Sequence, residues 1–136
     1  MPDMPSLNEI QETFSLLAEW EDRYAYLIDL GRKLDHFPDD CKTDANLVRG
    51  CTSRVWMILD EQEGRLHIRA DSDAHIVKGL IALVIATYNG QSVADITNID
   101  MQAIFKNLGL AEHLSPNRRN GFFAMVEKIK AQTVGV

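Results

Sequence analysis

Cysteine is scarce in this chain. Only Cys41 and Cys51 occur, and they form no Cys-x-x-Cys pair. A secreted disulfide framework therefore has no support. Nor does a structural zinc site, because His36, His67, His75 and His113 are scattered without His-x-x-x-His spacing. A mixed site built from Cys41, Cys51 and one histidine is the only metal arrangement left open. No glycine-rich phosphate loop is present. Ser72 has no histidine and aspartate at recognisable spacing, so a hydrolase triad is unsupported. Basic excess is also missing. The net charge of −6 argues against a general nucleic-acid binder. The short clusters Arg118-Arg119 and Lys128-Ile129-Lys130 read as solvated helix faces. Long apolar runs are missing too: Ile76 to Tyr88 is interrupted by Lys78 and is too short to cross a bilayer. Met1 to Ser6 carries no basic start followed by an apolar stretch, so no signal peptide is expected. These absences lead to the expectation of a soluble, cytoplasmic protein with no membrane and no nucleic-acid partner.

What is present is ordinary for a folded domain: 136 residues, 46% hydrophobic and 25% charged. A chain of this size buries roughly two-thirds of its unfolded surface, so it needs neither metal nor disulfide to hold together. One domain over residues 1–136 is expected.

The pattern along the chain predicts α+β. Ser6 and Glu9 have the spacing of a capping box, ahead of Ile10, Phe14 and Leu17 at helical intervals. A second helix is predicted over Trp20 to Leu34, weakened but not ended by Gly31. Asp35 to Asp44, with Pro38 and paired aspartates, reads as loop. Strands are predicted at Asn46 to Arg49, Arg54 to Leu59 and Arg65 to Ala70, with a turn over Glu61-Gln62-Glu63-Gly64. In the last strand Leu66, Ile68 and Ala70 alternate with Arg65, His67 and Arg69, the mark of a sheet with one wet face. Asp71-Ser72-Asp73 supplies cap candidates for an apolar core helix over Ala74 to Tyr88, stopped by Asn89-Gly90. Short helices follow near Val93 to Ile96 and Met101 to Leu108, with Asn98 or Asp100 as caps. Ser115-Pro116 opens the last helix. The expected architecture is a small antiparallel sheet of about three strands with helices packed on one face.

Chemistry concentrates around Cys51. It lies in Val48-Arg49-Gly50-Cys51-Thr52-Ser53-Arg54-Val55-Trp56, where Gly50, Thr52 and Ser53 leave a sulfur room to meet another molecule. The thiolate is the nucleophile, and a free thiol ionises at a pKa of about 8.5. Arg49 and Arg54 would favour that thiolate. Reactive thiol and packed structural thiol remain equal readings from the spacing alone. Cys41 sits among aspartates that disfavour its thiolate, and reads as an incidental thiol, or as a resolving partner for Cys51 in a redox sensor. Asp71 and Asp73 read as helix caps, and His113 as a capping or packing residue. Arg118 and Arg119 stand in the first turn of the last helix, where a cation opposes the helix dipole at about 0.3–1 kcal/mol each. That placement fits a role in holding a partner carboxylate or polarising a thiol, or else two side chains curling to solvent.

Three stretches together resemble the SufE family. They are Val48 to Trp56, Ser72-Asp73-Ala74-His75-Ile76-Val77-Lys78-Gly79-Leu80, and His113-Leu114-Ser115-Pro116-Asn117-Arg118 followed by Gly121. The resemblance runs from the Trp20 region to about Lys130. It implies a SufE/IscU-like fold and a protein that accepts sulfur from a pyridoxal-phosphate-dependent cysteine desulfurase, SufS-like or CsdA-like. The sulfur then passes on as a persulfide for iron–sulfur cluster assembly, towards a SufBCD-like complex. By this resemblance Cys51 is the acceptor, Arg118 serves the desulfurase interface and Asp73 is an acidic position beside the acceptor loop. Gly50, Thr52 and Ser53 complete the partner-binding set with Arg119, an added arginine that leaves open which of the two acts. Cys41 lies outside the family pattern. No cofactor is expected on this chain, since pyridoxal phosphate belongs to the desulfurase. The implied protein is a carrier rather than a stand-alone enzyme. A non-catalytic allosteric module of a desulfurase is the alternative, followed by an iron–sulfur or zinc scaffold, which a single motif cysteine disfavours. The outward edge of the hairpin leaves a homodimer open.

Overall fold

The computed structural model describes residues 5–50 and 53–134. The elements run α1 (Leu7–Leu16), α2 (Trp20–Gly31), β1 (Val55–Gln62), β2 (Arg65–Ser72), α3 (His75–Tyr88), α4 (Val93–Asn98), α5 (Met101–Asn107), α6 (Leu110–His113) and α7 (Pro116–Val134). The fold is α+β, with α3 at its centre. The β1–β2 hairpin lies on one side of α3, and α2, α7 and α1 pack around the rest of it. α3 is apolar on most of its circumference, and Leu80, Ile81, Leu83 and Val84 are all sealed from solvent. A helix surrounded in this way needs no polar face.

Local signals account for most element ends. The Ser6 hydroxyl accepts from the Glu9 amide at 3.2 Å, and the Glu9 carboxylate accepts from the Ser6 amide at 3.1 Å. This is the reciprocal capping box. Ser92 caps α4 and Asp100 caps α5 through their side chains. Asn89 ends α3 and also accepts from the Ile68 amide at 2.7 Å, so the helix stop is tied to the sheet. In β2, Leu66, Ile68 and Ala70 face the core while Arg65, His67 and Arg69 are exposed. β1 and β2 pair in register from Val55↔Ser72 to Gln62↔Arg65. Glu63 and Gly64 link them with positive φ of 55° and 77°. Two positive-φ residues give the tight turn whose twist suits a hairpin.

Four expectations are corrected. α2 ends at Gly31 rather than continuing to Leu34. Gly31 is buried against α3, where an added Cβ would come within 2.7 Å of the Gly79 amide nitrogen. A Cβ on Gly79 would in turn collide with the Leu27 carbonyl. The two glycines thus let the α2 and α3 backbones touch, and Gly31 contributes little helix propensity of its own. The strand expected at Asn46 to Arg49 is a 3-10 turn at Asp44–Asn46 followed by one bridge, Leu47↔Trp56. The sheet therefore has two strands among the described residues. The hairpin strands are longer than expected, because pairing carries β1 to Gln62 and β2 to Ser72 and narrows the turn to two residues. Finally, neither Asp71 nor Asp73 caps α3. Ala74 occupies the cap position without a side-chain bond, and Asp71 faces two lysines instead.

No helix is long and apolar enough to cross a membrane among the described residues.

Candidate functional site

The segment around Cys51 is rooted by described residues on both sides. The Val48 amide donates to the Val55 carbonyl at 2.8 Å, and Leu47 bridges Trp56. These bonds join the chain before residue 49 to the start of β1. Gly50 has φ +91°, and a Cβ there would stand 3.4 Å from Ala124 of α7. The positive φ favours glycine, which lets the backbone turn beside the helix. Cys51 and Thr52 lie outside the described residues. Arg49 and Arg54 are exposed at the two shoulders of the segment.

α7 meets this segment at Ser53. The Arg118 Nη1 donates to the Ser53 Oγ at 3.0 Å, and both residues are half-buried. Local sequence places the arginine. Ser115 precedes Pro116, and its hydroxyl accepts from the Arg118 amide at 3.3 Å while its carbonyl accepts from the Arg119 amide at 3.0 Å. Pro116 has no amide hydrogen to leave unsatisfied at the first helical position. Arg118 and Arg119 then diverge, because successive helical residues point about 100° apart. Only Arg118 turns to Ser53, and Arg119 forms no side-chain bond among the described residues.

Beside this contact lies a cavity of about 220 Å³. Its apolar wall is Val55, Val77, Leu80, Phe122 and Met125, contributed by β1, α3 and α7. Its polar lining is Ser53, Ser115, Asn117 and Arg118, with Gly121. A cation at a helix N-terminus is locally unfavourable. Here it is held by a neutral hydroxyl, and no carboxylate pairs with it among the described residues. The site can thus offer guanidinium donors next to an apolar hollow.

Of the residues singled out from sequence, Ser53 and Arg118 meet directly, and Gly50 lies beside the same helix at Ala124. Asp73 is exposed at the end of the hairpin, where its amide donates to the Arg54 carbonyl at 3.4 Å. Ser72 serves structure. Its hydroxyl donates to the same Arg54 carbonyl at 2.7 Å and accepts from the Ala74 amide at 3.2 Å. Cys41 is half-buried in a 3-10 turn, and its carbonyl accepts from Asn46 at 2.8 Å. His113 stacks on Trp20 with ring centres 4.4 Å apart. No three His, Cys, Asp or Glu side chains gather as metal ligands among the described residues.

Sequence reasoning missed a second cluster. Lys42 pairs with Asp71 at 3.3 Å and Asp39 at 3.4 Å, and lies over the Trp56 ring at 5.4 Å. Lys78 reaches the other Asp71 oxygen at 3.6 Å. The hydrogen bond that Lys42 donates to the Asp71 carboxylate holds its ammonium above the ordinary pKa of 10.5. Asp39 is a near neighbour of Lys42 in the chain, but Asp71 is far from it, so no local pattern announces the carboxylate that the two lysines share.

Together the fold and this site define a small α+β protein with a rooted cysteine segment facing an arginine-bearing helix. Residues 8–133 match the family described as "SufE: Fe-S metabolism associated domain". The chain belongs to the SufE family and so to the proteins associated with Fe–S metabolism. It is 43% identical to an uncharacterised SufE-like protein of Rhizobium meliloti over 97% of both chains. It is 41% identical to an uncharacterised SufE-like protein of Rhizobium etli, over 95% of this chain and 90% of that one. Its fold is similar to the solution structure of a hypothetical protein from Thermus thermophilus, with TM-score 0.77 and 21% identity, covering 95% and 93% of the two chains.

Proposed function

We propose that this protein is a cytoplasmic sulfur carrier of a single SufE-like domain, taking persulfide sulfur from a cysteine desulfurase onto Cys51. The observation that carries the reading is the Arg118–Ser53 bond, which sets a cation with no carboxylate partner among the described residues against Ser53, two positions along the sequence from the motif cysteine. Membership of a family associated with Fe–S metabolism supports it.

The step is a thiol–persulfide exchange. The Cys51 thiolate attacks the outer sulfur of the partner's Cys–S–S⁻. The S–S bond breaks towards the partner, whose cysteine leaves as thiolate, and Cys51 retains the outer sulfur as its own persulfide. No external oxidant or reductant enters. The rate depends on thiolate fraction, nucleophilicity and access. Arg49 and Arg54 supply positive charge on either side of the motif, Arg118 and Asp73 face the desulfurase, and the small residues Gly50, Thr52 and Ser53 complete the partner-binding set. Pyridoxal phosphate would belong to the desulfurase, where it would supply the chemistry that loads the partner's own cysteine with sulfur. A downstream Fe–S assembly complex receives the sulfur.

Incubation with a cysteine desulfurase and free cysteine, followed by mass spectrometry, tests this. Wild-type protein is expected to gain the mass of one sulfur on the peptide containing Cys51. Cys51→Ser is expected to gain none and to keep the same circular-dichroism spectrum. Sulfur appearing elsewhere, or nowhere, refutes the carrier.

A further inference from the structure

We propose that Ser53 is a positioning residue for Arg118, and that the group they receive together is a carboxylate on the desulfurase. The inference rests on the carrier reading and adds how the partner is recognised. Arginine carries five N–H donors in a planar fork and stays charged at any working pH. One bond from Nη1 to the Ser53 hydroxyl, at 3.0 Å, fixes where that fork faces. The acceptor is neutral, so the guanidinium is oriented without being neutralised. The contrast with Lys42 is direct, since two carboxylates compensate that ammonium. Arg118 is also half-buried at the cavity edge, which removes part of its water.

A cation that is oriented, partly desolvated and without a carboxylate partner among the described residues is suited to a carboxylate, which accepts two parallel bonds from the fork. Holding the side chain in place before docking reduces the rotamer freedom lost on binding. Ser53 is two positions along the sequence from Cys51, so a carboxylate captured by Arg118 docks on the stretch of chain that carries the proposed sulfur acceptor.

The experiment is a titration of desulfurase activity at saturating cysteine with wild-type protein and variants. It reads the half-saturating carrier concentration separately from the maximal rate. Ser53→Ala is expected to raise the half-saturating concentration about fivefold, the worth of one ordinary hydrogen bond. The effect falls on that concentration rather than on the maximal rate. Ser53→Thr restores the wild-type value and Ser53→Val, of equal bulk, does not. This pair separates the hydroxyl from packing if alanine perturbs the fold. Arg118→Ala alone and Arg118→Ala with Ser53→Ala should match each other, because the hydroxyl acts only through the arginine. Equal values for threonine and valine, or additive effects of Ser53 and Arg118, overturn the proposal. If Arg118→Ala changes nothing, its partner role in the carrier reading falls and the proposal falls with it. Retained sulfur uptake on Cys51 would then show that the carrier chemistry survives.

Discussion

Two cationic clusters flank the start of β1, and they are built in opposite ways. On one side Lys42 and Lys78 share Asp71, with Asp39 adding a second carboxylate to Lys42 and the Trp56 ring lying beneath it. On the other side the Arg118 guanidinium bonds the Ser53 hydroxyl and meets no carboxylate among the described residues. The strand itself keeps them apart. Val55 lines the cavity beside Arg118, and the next residue, Trp56, lies under Lys42. Successive strand side chains point to opposite faces. A cluster whose charge is cancelled internally fastens the 3-10 segment to the hairpin and has little left to offer a partner. A cluster held by a neutral group keeps its charge for whatever arrives.

The largest test of this contrast is to make the second cluster resemble the first. Ser53→Asp gives Arg118 an internal carboxylate. The half-saturating carrier concentration in the desulfurase titration is expected to rise about tenfold or more, since a charge-assisted bond exceeds a neutral one. Thermal stability should stay level or increase. Undiminished stimulation would break the contrast.

The converse test is Asp71→Asn, which removes the carboxylate shared by the two lysines. The bridges are partly solvent-exposed, so the expected loss is about 1 kcal/mol in urea unfolding. Sulfur uptake on Cys51 should be unchanged. A loss of uptake with wild-type stability would make the lysine cluster functional and erase the distinction.

The smallest effect belongs to a polar group in neither cluster. The Tyr88 hydroxyl is buried with no hydrogen-bond partner among the described residues. Burial pushes its pKa from 10.0 up to about 12, with Asp100 and Glu127 adding to the shift. Tyr88→Phe is expected to leave stability unchanged or raise it by about 1 kcal/mol at neutral pH. The folded state keeps a proton that the unfolded chain releases above pH 10.0. This contribution is therefore whole below pH 10.0 and is lost as pH rises through about 12. The phenylalanine variant should lose less stability over that window in a pH series of unfolding midpoints.

The helices and the hairpin were legible because their signals are periodic or short-range. The alternation of Leu66, Ile68 and Ala70 fixes which face of β2 is buried, and the Ser6–Glu9 spacing fixes where α1 begins. Asp71 was misread because an acidic residue ahead of an apolar helix matches a cap locally. Its partners Lys42 and Lys78 become neighbours only after folding. The third strand failed for a related reason. Leu47 and Val48 have strand-forming side chains, yet Gly50 turns the backbone away after one bridge. The site was half legible. Composition drew attention to Cys51 and to the arginine pair, but the choice between Arg118 and Arg119 depends on helix rotation against Ser53, which adjacent identical residues do not encode.

The bond between Val48 and Val55 also works as a short leash. Three residues of fully extended chain reach about 10 Å, and Cys51 is three residues beyond Val48. Chain length alone therefore keeps the Cys51 Cα within about 10 Å of the Val48 Cα, and a sulfur carried there under the proposed reading lies at most a side-chain length farther out. If the proposed transfer operates, a donor must bring its sulfur to that short reach of the hairpin root, and chain length itself then selects among donors by shape.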